Sequence, residues 1–276
     1  METPRLDAEL LAAHALKMDR VQLYVQHDRP LSPDELAGLR ELVKRRQAGE
    51  SVAYILGRKE FFGLPFTVDA RVLVPRPDTE TLVDEALAYL RERVDLPAEE
   101  STSERPPLKV VDVGTGSGAI AVAIAKHARG AWVAATDVSP DALAVARQNA
   151  ERNGVTVTFS EGDLDAPLAA LAPLDLIVAN LPYIPTATIA TLAPEVRAEP
   201  ALALDGGPDG LALVRRLVTA APALLNPGGA LALEIGAGQA ADTAALLTAA
   251  GFVDVRRRRD LGEIDRVVSG KHPAQS

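Results

Sequence analysis

Residues 108–125 read LKVVDVGTGSGAIAVAIA, and the order of residue types in that stretch decides the fold. An apolar run at 108–113 has no alternation, as expected of a strand buried on both faces. Gly114, Thr115, Gly116, Ser117 and Gly118 then turn the chain, and an Ala/Ile/Val segment near 117–128 continues at helical length. Strand, glycine turn and helix recur downstream in weaker form. Further apolar runs fall at 131–136, 155–159, 174–179 and 229–235, with helical segments near 139–152, 209–225 and 238–250. Ser139-Pro140-Asp141 is a well-formed helix start and Asn153-Gly154 a matching stop. The last two apolar runs, near 252–258 and 264–269, lie too close together for a helical crossover, so they should pair antiparallel. The pattern predicts an α/β, doubly wound sheet closed by a terminal hairpin, with no internal repeat.

Upstream the periodicity is helical. Thr3 and Pro4 suit a cap and first helical position, with Leu6, Leu10, Leu11 and Ala13 on one face. Ser32-Pro33-Asp34-Glu35 forms a capping box with proline in the first turn, and Leu36, Leu39, Leu42 and Val43 give the stripe behind it. These apolar residues are expected in a core. The segment FFGLPFTVDARVLVPRP (61–77) holds aromatic and β-branched residues between Gly63, Pro65 and Asp69, which predicts a short hairpin. A helix over 80–93, capped by Asp78 or Thr79, follows, and the polar, proline-rich stretch Leu96–Pro107 reads as a surface loop. The expected organisation is a small helical domain over 1–60, a hairpin linker over 61–79 and a nucleotide-binding catalytic domain over 80–276.

Composition removes several chemistries. The 276 residues contain no cysteine, so thiolate catalysis, zinc–thiolate sites and iron–sulfur clusters are excluded. Four scattered histidines offer no paired metal-ligand spacing, and no metal is expected. A formal net charge of −9 opposes broad binding to a polyanion, so no direct nucleic-acid partner is expected. Neither a membrane-spanning run nor a signal-peptide pattern is visible, which makes the expected location cytoplasmic.

The glycine loop lets a ligand approach main-chain amides at a helix start. Asp137 ends the next strand, 23 residues after Gly114, where a carboxylate accepts hydrogen bonds from both hydroxyls of a ribose. Together they predict a nucleotide-type cofactor. Gly114, Gly116 and Ala119 also satisfy the loose dinucleotide pattern, so NAD stays open on this motif alone. Asp112, two residues before the first glycine, suits a cationic methionine ammonium and disfavours a pyrophosphate. Its bland alternative is a helix or loop cap. Asp163 is a candidate acceptor for an adenine amino group, with Leu164 packed on the ring.

Asn180-Leu181-Pro182-Tyr183 lies at the carboxyl end of the fourth strand, at the sheet edge where ligands of open α/β folds bind. An amide or exocyclic amino nitrogen is a poor nucleophile because its lone pair is delocalised. It has to be held by its N–H groups with the lone pair aimed at an electrophilic methyl. The Asn180 side-chain oxygen and the Leu181 carbonyl can accept those hydrogens, and Pro182 holds Leu181 extended. Tyr183 can stack on the flat acceptor, and Asn180 is assigned to the cofactor as well. Around this site, Arg76 and Glu80 are candidate braces of the domain interface or the cofactor's carboxylate end. Glu199, Asp205 and Asp209 are candidates for shaping the cleft. Trp132 is read as core, and Arg256–Arg259 as a solvated basic run.

Several longer stretches, SVAYILGRKEFFGLPF, VLVPRPDTE, DVGTGSGAIAVAIA, ATDVSPDALAVARQNAERNG, NLPYIP, EPALALDGGPDGL, LEIGAGQ and DLGEIDRVVSG, occur in that order over nearly the whole chain. In them the sequence resembles the release-factor glutamine-N5 methyltransferase family (PrmC/HemK). The resemblance implies a seven-stranded class I methyltransferase sheet with a helical N-terminal domain. It implies S-adenosyl-L-methionine as cofactor and S-adenosyl-L-homocysteine as product. The implied partner and substrate is a class 1 peptide chain release factor, methylated on the glutamine of its Gly-Gly-Gln loop. Leu181 departs from the family's usual Asn-Pro-Pro-Tyr, and because only the carbonyl of that residue is asked to act, leucine should be tolerated. NLPY also resembles ribosomal-RNA adenine dimethyltransferases, so an rRNA adenine N6-methyltransferase is the alternative. An NAD-dependent dehydrogenase and a non-catalytic cofactor-binding protein are the remaining readings.

Overall fold

In the computed structural model, residues 4–95 and 106–274 are described. Thr3 and all but the last two residues of the predicted 96–107 loop lie outside the described residues. Four helices come first: α1 (Pro4–Ala15), α2 (Arg20–Val25), α3 (Pro33–Gln47) and α4 (Val52–Leu56). The capping box at α3 forms as the sequence requires, with Glu35 N–H donating to Ser32 and the Glu35 carboxylate accepting from the Ser32 N–H. The expectation of a leucine core fails here. Leu11 and Ala13 are buried, but Leu6, Leu36 and Val43 are 36–39% exposed, because a layer of short helices has too little thickness to cover both stripes.

Strands β1 (Arg58–Phe61) and β2 (Leu64–Thr67) form the predicted hairpin. Phe62 (φ 51°) and Gly63 (φ 70°) make its two-residue turn in the left-handed region. Phe61 and Phe66 meet edge to face at 6.0 Å, and both are buried in the core beneath the sheet's helices. A 3₁₀ turn, Pro77–Thr79, leads into α5 (Glu80–Asp95). The expected caps are engaged elsewhere: Asp78 pairs with Arg266 at 3.2 Å, and the Thr79 hydroxyl accepts from Asn180.

The remaining elements alternate: β3 (Lys109–Val113), α6 (Ala119–His127), β4 (Trp132–Asp137), α7 (Pro140–Asn153), β5 (Thr158–Glu161), β6 (Leu174–Ala179), α8 (Pro194–Arg197), α9 (Ala212–Ala220), β7 (Leu225–Glu234), α10 (Ala240–Ala249), β8 (Val253–Arg259) and β9 (Asp265–Lys271). They build a seven-stranded sheet in the order β5-β4-β3-β6-β7-β9-β8. β9 runs antiparallel between β7 and β8, and the other neighbouring pairs are parallel. The chain winds outward from β3 to β5 and then returns to β6 on the other side of β3. That reversal opens a crevice at the carboxyl ends of β3 and β6.

Both sheet faces are covered, which explains the unalternating runs. Val110, Leu176 and Val178 pack with α5, α6 and α7, while Val111, Ile177 and Leu231 pack with α9 and α10. Several boundaries moved, and β7 begins at Leu225 rather than 229. β5 begins at Thr158 rather than 155, because α7 runs to Asn153 and Gly154 closes it in the left-handed conformation. The helix expected over 209–225 is only α9 followed by a 3₁₀ turn at Ala221–Ala223, since Pro222 supplies no N–H to continue it. Trp132 is half-buried, at the start of β4 with the Lys109 ammonium 6.0 Å from its ring centre.

Candidate active site

The glycine loop leaves β3 with Gly114, Gly116 and Gly118 at φ 71°, 54° and 79°. Gly118 caps α6 where an added Cβ would stand 3.0 Å from Ala146, so the α6–α7 approach requires glycine there. The Gly114 and Thr115 amides both donate to the Thr136 carbonyl at 2.9 Å, tying the loop to β4. Asp137 finishes the tie: its Oδ2 accepts from Gly116 N at 2.8 Å and its Oδ1 from Ser139 N at 2.9 Å. Asp112 sits beneath the loop, fully buried. Its Oδ2 accepts from the Thr115 hydroxyl at 2.6 Å and the Ala121 amide at 3.2 Å, and its Oδ1 has no partner. Burial pushes this carboxyl up to about 7.

A cavity of about 200 Å³ runs along the loop. Gly114, Thr115, Gly116, Ser117, Asp137, Asp163, Leu164, Asn180, Leu181 and Pro182 all touch it. Asp112 and Gly118 are not on its wall: Asp112 clamps the loop and the first turn of α6 from below, and Gly118 packs on α7. Asp163 stands at the exposed end, paired with Arg216 at 2.9 Å. Leu164 (φ 48°) is buried beside it.

A second cavity, about 580 Å³, lies across Asn180 and Leu181. Both cavities share Leu73, Arg76, Asn180, Leu181 and Ala203, so they meet at the end of β6. Tyr183 lines only the second. The helical unit walls this side through Asp7, Arg46, Ser51 and Val52. Arg46 joins the two units, with Asp7 at 3.2 Å and Glu195 at 3.3 Å. At the junction the Arg76 guanidinium pairs with buried Glu199 at 2.5 Å. Burial raises the Glu199 carboxyl, and Arg76 opposes the shift. Glu80 instead accepts from the Phe62 amide at 2.8 Å, bracing the hairpin. Asp205 accepts from Thr186 and Gly207, and Asp209 from Leu211 and Arg215, so both hold the loop that follows Tyr183.

Five residues to which the sequence reading gave no part in the site stand at or beside it. Thr79 is buried on the first cavity, and Glu234 is buried behind Asn180. Gln239 donates to the Tyr183 carbonyl at 3.0 Å, Arg216 holds Asp163, and Arg46 links the units. Thr79, Glu234 and Gln239 fall inside VLVPRPDTE and LEIGAGQ, so the motifs were visible, but their roles needed the third dimension. Within the basic run, Arg256 and Arg258 face α5, Arg256 3.9 Å from Glu92 and Arg258 3.6 Å from Asp84 and 3.3 Å from Glu85, while Arg259 pairs with Glu263 and Asp265 at 3.4 Å. Among the described residues, no cluster of three or more His, Asp or Glu could hold a metal ion, and no helix is long and apolar enough to cross a membrane.

A seven-stranded sheet with a glycine loop after its first parallel strand and an acid after its second defines a class I methyltransferase. A methyltransferase domain is matched over residues 110–198 and the PrmC N-terminal domain over residues 1–57. The release factor glutamine methyltransferase of Geobacter sulfurreducens is 48% identical over 98% of this chain and 90% of its own length. That of Chlorobaculum tepidum is 43% identical over the same shares. The chain belongs to the release factor glutamine methyltransferase family. Solved structures agree on the fold. The hMettl16 catalytic domain, in complex with MAT2A 3'UTR hairpin 6, superposes with a TM-score of 0.60 at 15% identity, over 88% of this chain and 93% of that one. A Pyrococcus furiosus methyltransferase gives 0.51 at 19% identity, over 84% and 98%.

Proposed function

We propose that this chain methylates the side-chain amide nitrogen of the glutamine in the Gly-Gly-Gln loop of a class 1 release factor, using S-adenosylmethionine. The observation that carries this reading is the meeting of two cavities at Asn180 and Leu181, one along the glycine loop and one walled by the helical unit. The residues present suit the cofactor. Gly116 has nothing within 4 Å of where a Cβ would stand, so its face is open to the first cavity. Asp137 offers a carboxylate on that wall for a ribose diol, and Asp163 and Leu164 stand where an adenine would end. The unpartnered Asp112 Oδ1 supplies negative potential beneath the methionine end. S-adenosylmethionine brings an electrophilic methyl on a sulfonium.

The chain's own residues then place the acceptor. The Asn180 side-chain oxygen and the Leu181 carbonyl take the two N–H groups of the glutamine amide. Pro182 fixes the direction of that carbonyl, and Tyr183 walls the acceptor side. Residues 1–60 grip the release factor, 61–79 join the units, and 80–276 carry the chemistry. A release factor substrate sets the reaction in the cytoplasm. Placement and hydrogen bonding provide most of the rate. The amide becomes acidic as the methyl arrives, so its proton passes to water without a dedicated base.

The test is transfer of labelled methyl to purified release factor, with a Gln-to-Ala variant of the Gly-Gly-Gln loop as control. Label on the wild-type factor alone is the expected result, and Asn180→Ala lowers the rate on the order of 10²–10³. Methylation of RNA instead of either factor would replace this reading with the adenine methyltransferase.

A further inference from the structure

β6 and β7 run parallel with Ala179 beside Leu233, so Asn180 and Glu234 are neighbours at the ends of adjacent strands. Glu234 is 1% exposed. The Thr79 and Asn180 side chains stand close enough to favour its ionised form, and its Oε2 has no partner. Thr79, itself 4% exposed, also accepts from Asn180 Nδ2 at 3.2 Å. Arg266 is the nearby cation, but it is committed to Asp260 at 3.0 Å and Asp78 at 3.2 Å. A carboxylate buried with one oxygen unmatched is costly, and an apolar residue of similar volume would fill the space more cheaply. Packing does not explain its presence.

Hydrogen-bond polarity does. An asparagine amide has a carbonyl end and an amino end of nearly equal shape, and only the carbonyl end can receive the N–H of an acceptor amide. An ionised carboxylate accepts only, so the edge of Asn180 that faces Glu234 has to be its amino group. A threonine hydroxyl has one proton. With that proton turned toward the Glu234 carboxylate, Thr79 accepts from Asn180 Nδ2, the bond seen at 3.2 Å. The amino group of Asn180 is thereby held on the protein side. We propose that Glu234 and Thr79 are positioning residues that lock Asn180 with its carbonyl oxygen turned toward the junction of the two cavities. This rests on the role given to Asn180 above. Without the lock, the flipped amide would set two donors against the donors of the glutamine.

The test compares Glu234→Gln, Thr79→Val and Thr79→Ser in the full chain with S-adenosylmethionine and release factor, well above the carboxyl's titration range. Glu234→Gln and Thr79→Val each lower kcat by about tenfold, the worth of one such hydrogen bond. Glu234→Gln leaves the KM for S-adenosylmethionine unchanged, and Thr79→Ser, which keeps the hydroxyl, restores the rate. In an Asn180→Ala background neither substitution slows the enzyme further, because both act through that side chain. Wild-type kcat in Glu234→Gln, or an equal added loss in the Asn180→Ala background, would overturn the lock. Exchange of the Asn180 side-chain amide protons, followed by NMR and assigned by their disappearance in Asn180→Asp, tests it without turnover. Protection in the wild type that is lost in Glu234→Gln supports the lock, and free exchange in the wild type refutes it. Protection in an enzyme that leaves release factor unlabelled would keep the lock and reject the acceptor.

Discussion

Gly210→Ala should disable methyl transfer while leaving cofactor binding intact. Gly210 has φ 79°, and an added Cβ would stand 2.2 Å from the Tyr183 carbonyl oxygen and 2.6 Å from Gln239 Nε2. Those two atoms are the partners of the 3.0 Å hydrogen bond that holds the loop after Asn180. A left-handed alanine costs about 1–2 kcal/mol, and forcing a methyl against backbone costs about 1–3 kcal/mol more. Relieving the contact requires the Tyr183 carbonyl to retreat by about 1 Å, and a misplacement of that size costs on the order of 10² in rate. Gly210 does not line the cofactor cavity, so calorimetry should show unchanged S-adenosylmethionine affinity. Gly130→Ala is the control: φ 91°, with nothing within 4 Å of the added Cβ. It should lose stability in urea through the conformational cost alone and keep its kcat. Full turnover in Gly210→Ala, or an equal rate loss in Gly130→Ala, would refute the reasoning.

Stability should fall as pH rises from about 4 to about 7 and then level. Burial holds the Asp112 and Glu234 carboxyls up at about 7, against ordinary values of 3.8 and 4.5. In that window the folded chain keeps protons that the unfolded chain releases, so each carboxyl withdraws on the order of 3 kcal/mol as pH climbs. The surface carboxylates Glu9, Glu35 and Asp209, pulled down to about 2 by their hydrogen bonds, titrate below it. Urea midpoints across pH would show the slope, Asp112→Asn and Glu234→Gln should each flatten it, and a slope unchanged in both variants would count against it. Asp137→Asn should weaken S-adenosylmethionine binding by about tenfold or more, because the new amino group must face one of two backbone N–H donors, a cost of about 1–3 kcal/mol. Calorimetry measures it, and wild-type affinity would remove Asp137 from the loop's support.

The sheet was legible because its strands are buried on both faces and its turns are written in residues with one conformational use. The run Leu174–Ala179 was placed to the residue for that reason. The helical unit was read less well: its stripes have the right spacing, but spacing says which residues share a face and not whether anything covers it. Leu36 and Val43 stay open to solvent. Within the site, the glycine loop, Asp137 and Asn180 could be found because each has a chemical type at a fixed distance from a strand end. Glu234 and Thr79 could not, because the relation that matters is lateral. It joins residues 180 and 234 through strand register and brings Thr79 to them from the 3₁₀ turn before α5, and no local pattern encodes either relation.

Leu181 shows the same limit from the other side. Read as sequence, only its carbonyl had a task, which made the side chain look indifferent. Folded, that side chain is 2% exposed and lines both cavities. Its Cδ2 stands 3.2 Å from where a Cβ on Gly114 would be. Leucine therefore forms the apolar wall between the cofactor loop and the acceptor loop, and Gly114 is open enough to receive it. The carbonyl proposed to take an acceptor N–H and the side chain that abuts the glycine loop belong to one residue. Any shift of the glycine loop is thus transmitted to the acceptor through one packed contact. A residue at 181 has to satisfy both the extended backbone that Pro182 imposes and the volume beside Gly114. Leucine meets both demands, the first through its backbone and the second through its branched end.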